Sequence, residues 1–346
     1  MTVGATILGC ASARLSEDER RFFGSADPLG FILFARNIET PDQVRALVNE
    51  LREAVGRGDA PVLIDQEGGR VARLGPPFWY RAPAAAVLAG IHAEDPDRGA
   101  EALTLSTQLI AADLLDLGID VDCAPVADLA IAGAHDVIGD RAYGATPEPV
   151  AALGRIIART LLEAGVIPVV KHIPGHGRAL ADSHRELPVV DAPVDLLRRT
   201  DFAPFSALAD LPWAMTAHVV YEALDATAPA TLSELMVSTI IRTQIGFQGL
   251  LLSDDLSMQA LEGPFDRRAR QCRIAGCDIA LHCNGDMEEM IQVVEGAGHM
   301  DDAGLNRVEA GRAMLGTLAD FDREAALARV AALLGGHADF GRSAGS

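Results

Sequence analysis

Short apolar runs rich in Val, Ile and Leu recur along the whole chain, separated by stretches in which apolar residues return every three or four positions. The runs fall at 3–10, 30–36, 60–67, 119–128, 166–173, 213–221, 249–254 and 278–284. They are nearly continuous rather than alternating, which predicts strands buried on both faces, as in a parallel sheet. The stretches between them predict crossover helices with legible ends. Thr40-Pro41 and Thr146-Pro147 each place an N-cap before a proline at the first helical position, opening helices that reach to about 55 and 164. Gly118, Gly165, Gly246 and Gly276 stand where such helices should stop. Eight strands with crossover helices predict an α/β fold, a closed (β/α)8 TIM barrel, although an open doubly wound sheet gives a similar string. Segments 303–320 and 322–334 are expected to add C-terminal helices that cover the barrel. No Pro/Ser-rich linker divides the chain, so residues 1–335 are expected to form a single domain and 336–346 a loose tail.

Charge narrows the partners. The 346 residues carry 29 Lys plus Arg against 49 Asp plus Glu, a formal charge of -20. A field of that sign repels phosphate backbones and anionic lipid, so neither nucleic acid nor a membrane surface is an expected partner. No run approaches the ~20 apolar residues of a membrane helix. No basic residue precedes Arg14, so a secretory n-region is missing. The five cysteines, Cys10, Cys123, Cys272, Cys277 and Cys283, lack CxxC spacing and read as free thiols in a reducing compartment. A cytoplasmic location is the expectation.

The polar residues that interrupt the apolar runs gather at one end of them. Strand three closes on Asp65-Gln66-Glu67-Gly68-Gly69, strand four on Asp128, strand five on Lys171-His172, strand six on His218 and strand seven on Ser253-Asp254-Asp255. In a barrel these are all C-terminal ends, the face where catalytic groups collect. The segment 171–188, KHIPGHGRALADSHRELP, is the densest. His172 and His176 have a spacing that could ligate zinc on a helix, but Pro174, Gly175 and Gly177 deny them that helix. No metal or cofactor is therefore expected. Asp182 and His184 stand two apart, so in extended chain the carboxylate can reach the imidazole, orient it and favour its protonated form. Successive strand residues point opposite ways, so only one of Asp254 and Asp255 should face the mouth, leaving the other to cap or bind backbone amides. Gly68-Gly69 either lets backbone approach a ligand or makes a tight turn. Asp65, Arg73, Arg141 and Lys171 offer donors and acceptors suited to hydroxyl and amide groups.

Five blocks, DQEGGRVARL (65–74), VIGDRAYG (137–144), KHIPGHG with the following DSHRELP (171–188), MTAHVVY (215–221) and LLSDDLSM (251–258), resemble glycoside hydrolase family 3. They are most similar to its single-domain bacterial β-N-acetylhexosaminidases of cell-wall recycling. The resemblance implies a TIM barrel and a retaining mechanism, with Asp254 as nucleophile and His184, oriented by Asp182, as general acid/base. It also implies sugar contacts from Asp65, Arg73, Arg141, Lys171 and His172. The expected substrate is a small carbohydrate, N-acetylglucosamine linked to 1,6-anhydro-N-acetylmuramic acid with or without peptide. A glycoside phosphorylase or β-glucosidase of the same family is the nearest alternative; a metal-dependent barrel hydrolase and a non-catalytic sugar-binding barrel are more distant ones.

Overall fold

The computed structural model describes residues 2–183, 185–318 and 321–335. Eight parallel strands form one sheet: β1 (Gly4–Gly9), β2 (Pro28–Leu33), β3 (Val62–Ile64), β4 (Val121–Asp122), β5 (Ile167–Ile173), β6 (Trp213–Thr216), β7 (Leu250–Leu252) and β8 (Ala280–His282). Each pairs with its neighbours in sequence, and β8 returns to β1. The circle closes through a parallel bridge between Leu252 and Ile279. There the Ser253 N–H donates to the Ile279 carbonyl at 2.9 Å, and the Ser253 hydroxyl accepts the Leu281 N–H at 2.9 Å. This is a barrel, and the open sheet is excluded.

Apolar residues along the strands are fully buried, with Ile7, Phe31, Leu63, Val121, Trp213 and Leu251 all at or near zero exposure. Burial on both faces is what the continuous runs predicted. The strands are nonetheless shorter than those runs. β4 stops at Asp122 because Pro125 has no N–H for the ladder, and pairing resumes only as a single bridge from Val126 to Lys171. After β3 the chain turns out of the barrel, and Gln66–Gly68 pairs antiparallel with Val71–Ala72 as a small hairpin over the mouth. Past β6, Val220–Tyr221 leaves the barrel to pair with Val189–Val190.

The helix boundaries mostly follow the signals. The first crossover helix of the Thr-Pro type runs Pro41–Val55, with the Thr40 hydroxyl accepting the Gln43 N–H. The second runs Pro147–Ala164, but Thr146 makes no side-chain cap, so the proline rather than the threonine hydroxyl starts it. Gly165 ends that helix in the left-handed conformation at φ 102. The helix expected over 303–320 is Asp302–Arg312 only. Beyond it the chain satisfies another element: Gly316 N–H donates to the Leu162 carbonyl at 2.8 Å and Leu318 N–H to that of Ala164 at 3.1 Å. Those carbonyls belong to the last turn of Pro147–Ala164, where the i to i+4 pattern runs out and Leu162 otherwise accepts only the Gly165 N–H at the cap, at 3.1 Å. Arg323–Leu334 forms the final helix, close to expectation, and the 336–346 tail lies outside the described residues. Among the described residues no helix is long and apolar enough to cross a membrane. All five cysteines are buried free thiols.

Candidate active site

The strand ends open into one cavity of about 250 Å³, lined among others by Asp65, Arg73, Arg141, Lys171, His172 and Asp254. Six of the eight residues singled out from sequence thus meet in one place. Of the other two, Asp182 is partly buried in the loop beyond β5, its carbonyl accepting the N–H groups of Arg185 and Glu186, and His184 lies outside the described residues.

One wall is a buried ion-pair lattice. Lys171 Nζ lies 2.6 Å from Asp65 and 2.7 Å from Glu67. Arg73 donates to the other Asp65 oxygen at 2.9 Å, and Arg141 grips Glu67 through two bonds of 2.8 Å. Burial alone would raise both carboxyl pKa values, but the adjacent Lys171, with Arg73 on Asp65 and Arg141 on Glu67, holds both below the usual range. Burial would likewise lower the Lys171 ammonium, yet Asp65 and Glu67 hold it above its ordinary value. Three cations against two carboxylates suit the lattice to fixing hydroxyl and carbonyl oxygens. Gln66 builds the approach, since its amide oxygen accepts the N–H groups of Arg73 and Leu74 and its amide nitrogen donates to the Leu74 carbonyl. Arg36 and Arg73 both lie over the Phe34 ring, each 5.1 Å from its centroid.

Truncating the shared cation should be costly. Lys171→Met should lower unfolding free energy by about 3 kcal/mol, the low end for breaking a buried pair, because each carboxylate keeps an arginine. Chemical denaturation measures it; a loss under about 1 kcal/mol would mark an ordinary surface pair instead.

The back wall is organised by Asp128, which has no exposure. One of its oxygens takes His172 Nδ1 at 2.7 Å and the His172 N–H at 3.2 Å; the other takes the His176 N–H at 2.6 Å. Burial, then the neighbouring His172, pushes His176 down to about 4, so its ring is neutral near pH 7. The two rings meet edge to face at 5.8 Å, and His172 is spent on Asp128 rather than sharing a ligand with His176. Among the described residues no group of three His, Cys, Asp or Glu side chains could hold a metal ion.

Both aspartates after β7 border the cavity, against the expectation that only one would face the mouth, and they differ in their partners. Asp255 is consumed by the backbone: one oxygen accepts the N–H groups of Ser257 and Cys283 at 3.0 and 3.1 Å, the other the Ser257 hydroxyl at 2.6 Å. Its carbonyl meets His218 Nε2 at 3.0 Å, and burial keeps His218 below its ordinary pKa. Asp254, 7% exposed on the cavity wall, accepts the Asp255 N–H at 2.8 Å, which fixes the plane of its carboxylate. Gly68 and Gly69 serve the tight turn of the Gln66–Gly68 and Val71–Ala72 hairpin, with Gly69 in the turn itself, and its packing. At φ +101 and +56, a Cβ on either would strike residues 82–84, as close as 2.5 Å from the Pro83 carbonyl.

Glu67 and Asp128 stood out in sequence as polar strand ends but not as site residues. Their importance lies in partners 74 and 44 positions away, Arg141 and His172. His176 and Ser183 also line the cavity; His176 drew notice only for its spacing from His172, and Ser183 gave only motif proximity as a signal.

Paired carboxylates and a hydrogen-bonding lattice at the C-terminal mouth of a (β/α)8 barrel define a polar, single-sugar-sized hydrolase pocket. Residues 8–309 match the Glycosyl hydrolase family 3 N terminal domain, and the chain belongs to that family of glycoside hydrolases. It is 42% identical over 291 residues to the β-hexosaminidase of Alkalilimnicola ehrlichii, covering 82% of each chain. To the β-hexosaminidase of Methylococcus capsulatus it is 42% identical over 277 residues, 78% of this chain and 80% of the relative. Among solved structures it resembles native NagZ from Neisseria gonorrhoeae, at 33% identity and a TM-score of 0.86, over 97% of this chain and 99% of that one. That gonococcal protein has also been solved in complex with N-trifluoroacetyl-D-glucosamine and with a zinc ion.

Proposed function

We propose that this chain is a retaining exo-β-N-acetylglucosaminidase that removes non-reducing terminal N-acetylglucosamine from peptidoglycan fragments, GlcNAc-1,6-anhydroMurNAc with or without peptide, in the cytoplasm. The observation that carries the reading is the division of labour after β7: both aspartates border the cavity that also holds the Asp65–Lys171–Glu67 lattice, but the Asp255 carboxylate is tied to Ser257 and the Cys283 N–H. The Asp254 carboxylate so placed can attack the anomeric carbon of a sugar held by its hydroxyls. A cavity of about 250 Å³ suits one ring, hence exo action. The β-hexosaminidase relatives and the N-acylglucosamine bound by the gonococcal neighbour support the choice of sugar.

In this mechanism Asp254 forms an ester with C1 as His184 protonates the departing oxygen. His184, held by Asp182, then removes a proton from water, which attacks C1 from the face the leaving group vacated. An imidazole with a reference pKa of ~6.5 serves both steps at neutral pH. Lys171, Asp65, His172, Arg73 and Arg141 hold the sugar hydroxyls. The whole reaction is assigned to the single domain 1–335.

The deciding assay compares chromogenic β-N-acetylglucosaminide with β-glucoside, with and without phosphate. Preference for the former and indifference to phosphate is expected; rates that rise with phosphate, releasing sugar phosphate, would make the enzyme a phosphorylase. Activity should also survive exhaustive dialysis against a strong chelator, with no stoichiometric metal by elemental analysis. Activity restored only by added zinc would overturn the metal-free mechanism.

A further inference from the structure

The loop beyond β5 is open to solvent at Leu180, 72% exposed, and across 185–187, yet Ser183 within it is only 2% exposed. Two contacts bury it. Its hydroxyl lies 3.2 Å from His176 Nε2, and its carbonyl accepts the Ala260 N–H at 3.2 Å. His176 is itself fastened to Asp128 through its backbone N–H. Ala260 belongs to the segment that follows Asp254-Asp255, whose start is held through Asp255, Ser257 and Cys283. Neutral His176 carries one ring proton, and its Nδ1 has no partner among the described residues. Placing the proton on Nε2 lets it donate to Ser183 and leaves only a lone pair unmatched, the cheaper tautomer. One residue thus ties two parts of the site together, the Asp128 cluster through His176 and the nucleophile segment through Ala260.

We propose that Ser183 is the positioning residue for proton donation by His184, its neighbour in sequence, and that the His176–Ser183–Ala260 contacts register the acid/base loop on the Asp254 segment. The proposal rests on His184 being the acid/base. A proton donor works only within hydrogen-bond reach of the leaving oxygen, and a displacement of about 1 Å can cost about 10²-fold. Anchoring the preceding residue from both sides of the cavity supplies that restraint to a loop otherwise facing water.

The test measures kcat/KM for Ser183→Ala and Ser183→Thr on a methyl and a dinitrophenyl β-N-acetylglucosaminide, in the wild-type and His184→Ala backgrounds. Ser183→Ala should lose about 10- to 100-fold on the methyl glycoside and less than about twofold on the dinitrophenyl one. Ser183→Thr, which keeps the hydroxyl, should recover most of the loss. Ser183→Ala should add nothing to His184→Ala, as expected of a residue acting only through its neighbour. Equal losses on both glycosides, or additive losses in the double variant, would overturn the proposal. A steep leaving-group dependence in His184→Ala beside a flat one in Ser183→Ala overturns the positioning role alone. A flat His184→Ala profile overturns the acid/base reading beneath it. Should Ser183→Ala fail to fold, His176→Gln, which keeps an amide donor, is compared with His176→Phe on the same two substrates: only the phenylalanine should show the leaving-group-dependent loss, and equal losses would overturn the proposal.

Discussion

Replacing Asp254 by asparagine should lower kcat by at least about 10⁴-fold on every β-N-acetylglucosaminide while the protein stays folded. The fold survives because an asparagine oxygen can still accept the Asp255 N–H that Asp254 accepts at 2.8 Å. Chemistry does not survive, since an amide cannot form the glycosyl ester. Asp255→Asn is the control and should behave in the opposite way. Its carboxylate accepts three donors from Ser257 and Cys283, so losing one oxygen costs stability, about 1–3 kcal/mol, and a smaller share of rate. Thermal denaturation and steady-state kinetics on the two variants separate these roles. Full activity in Asp254→Asn, or a larger rate loss in Asp255→Asn, would exchange the assignments.

The second large effect concerns the leaving group. His184→Ala should reduce kcat/KM for alkyl glycosides and disaccharides by about 10²- to 10⁴-fold, yet barely touch kcat/KM for dinitrophenyl glycosides, whose departing oxygen needs no proton; kcat on the latter should fall, because the second step loses its base. Asp182→Asn should give a milder version of the same pattern, because the imidazole remains and only its orienting carboxylate is gone. Equal losses on all leaving groups in both variants would make His184 a sugar-positioning group.

How much of this the chain discloses before folding depends on range. The apolar runs locate all eight strands because burial on both faces is a local property of composition. Thr40-Pro41 opens Pro41–Val55, and Pro147 and Gly165 bound Pro147–Ala164, for an equally local reason. The choice between Asp254 and Asp255 was not legible from alternation, since both border the cavity; the contrast between them follows only from the Ser257 and Cys283 donors to Asp255. Three features were hidden. The hairpin over the mouth depends on Gly68 and Gly69 packing against 82–84, and the early end of Asp302–Arg312 on carbonyls left over by a distant helix. The bidentate grip of Arg141 on Glu67 joins residues whose spacing carries no periodic signal.

The central claim is that Asp254 becomes covalently attached to the sugar. The most direct measurement is mass spectrometry of the enzyme after incubation with a slow 5-fluoro-N-acetylglucosaminyl donor. A retaining Asp254 nucleophile predicts one sugar per chain, carried on the peptide containing Asp254, with release on dilution matching recovery of activity. Turnover with no trappable ester would hand the nucleophile's role to the substrate acetamide, and label on Asp255 or any other carboxylate would contradict the account.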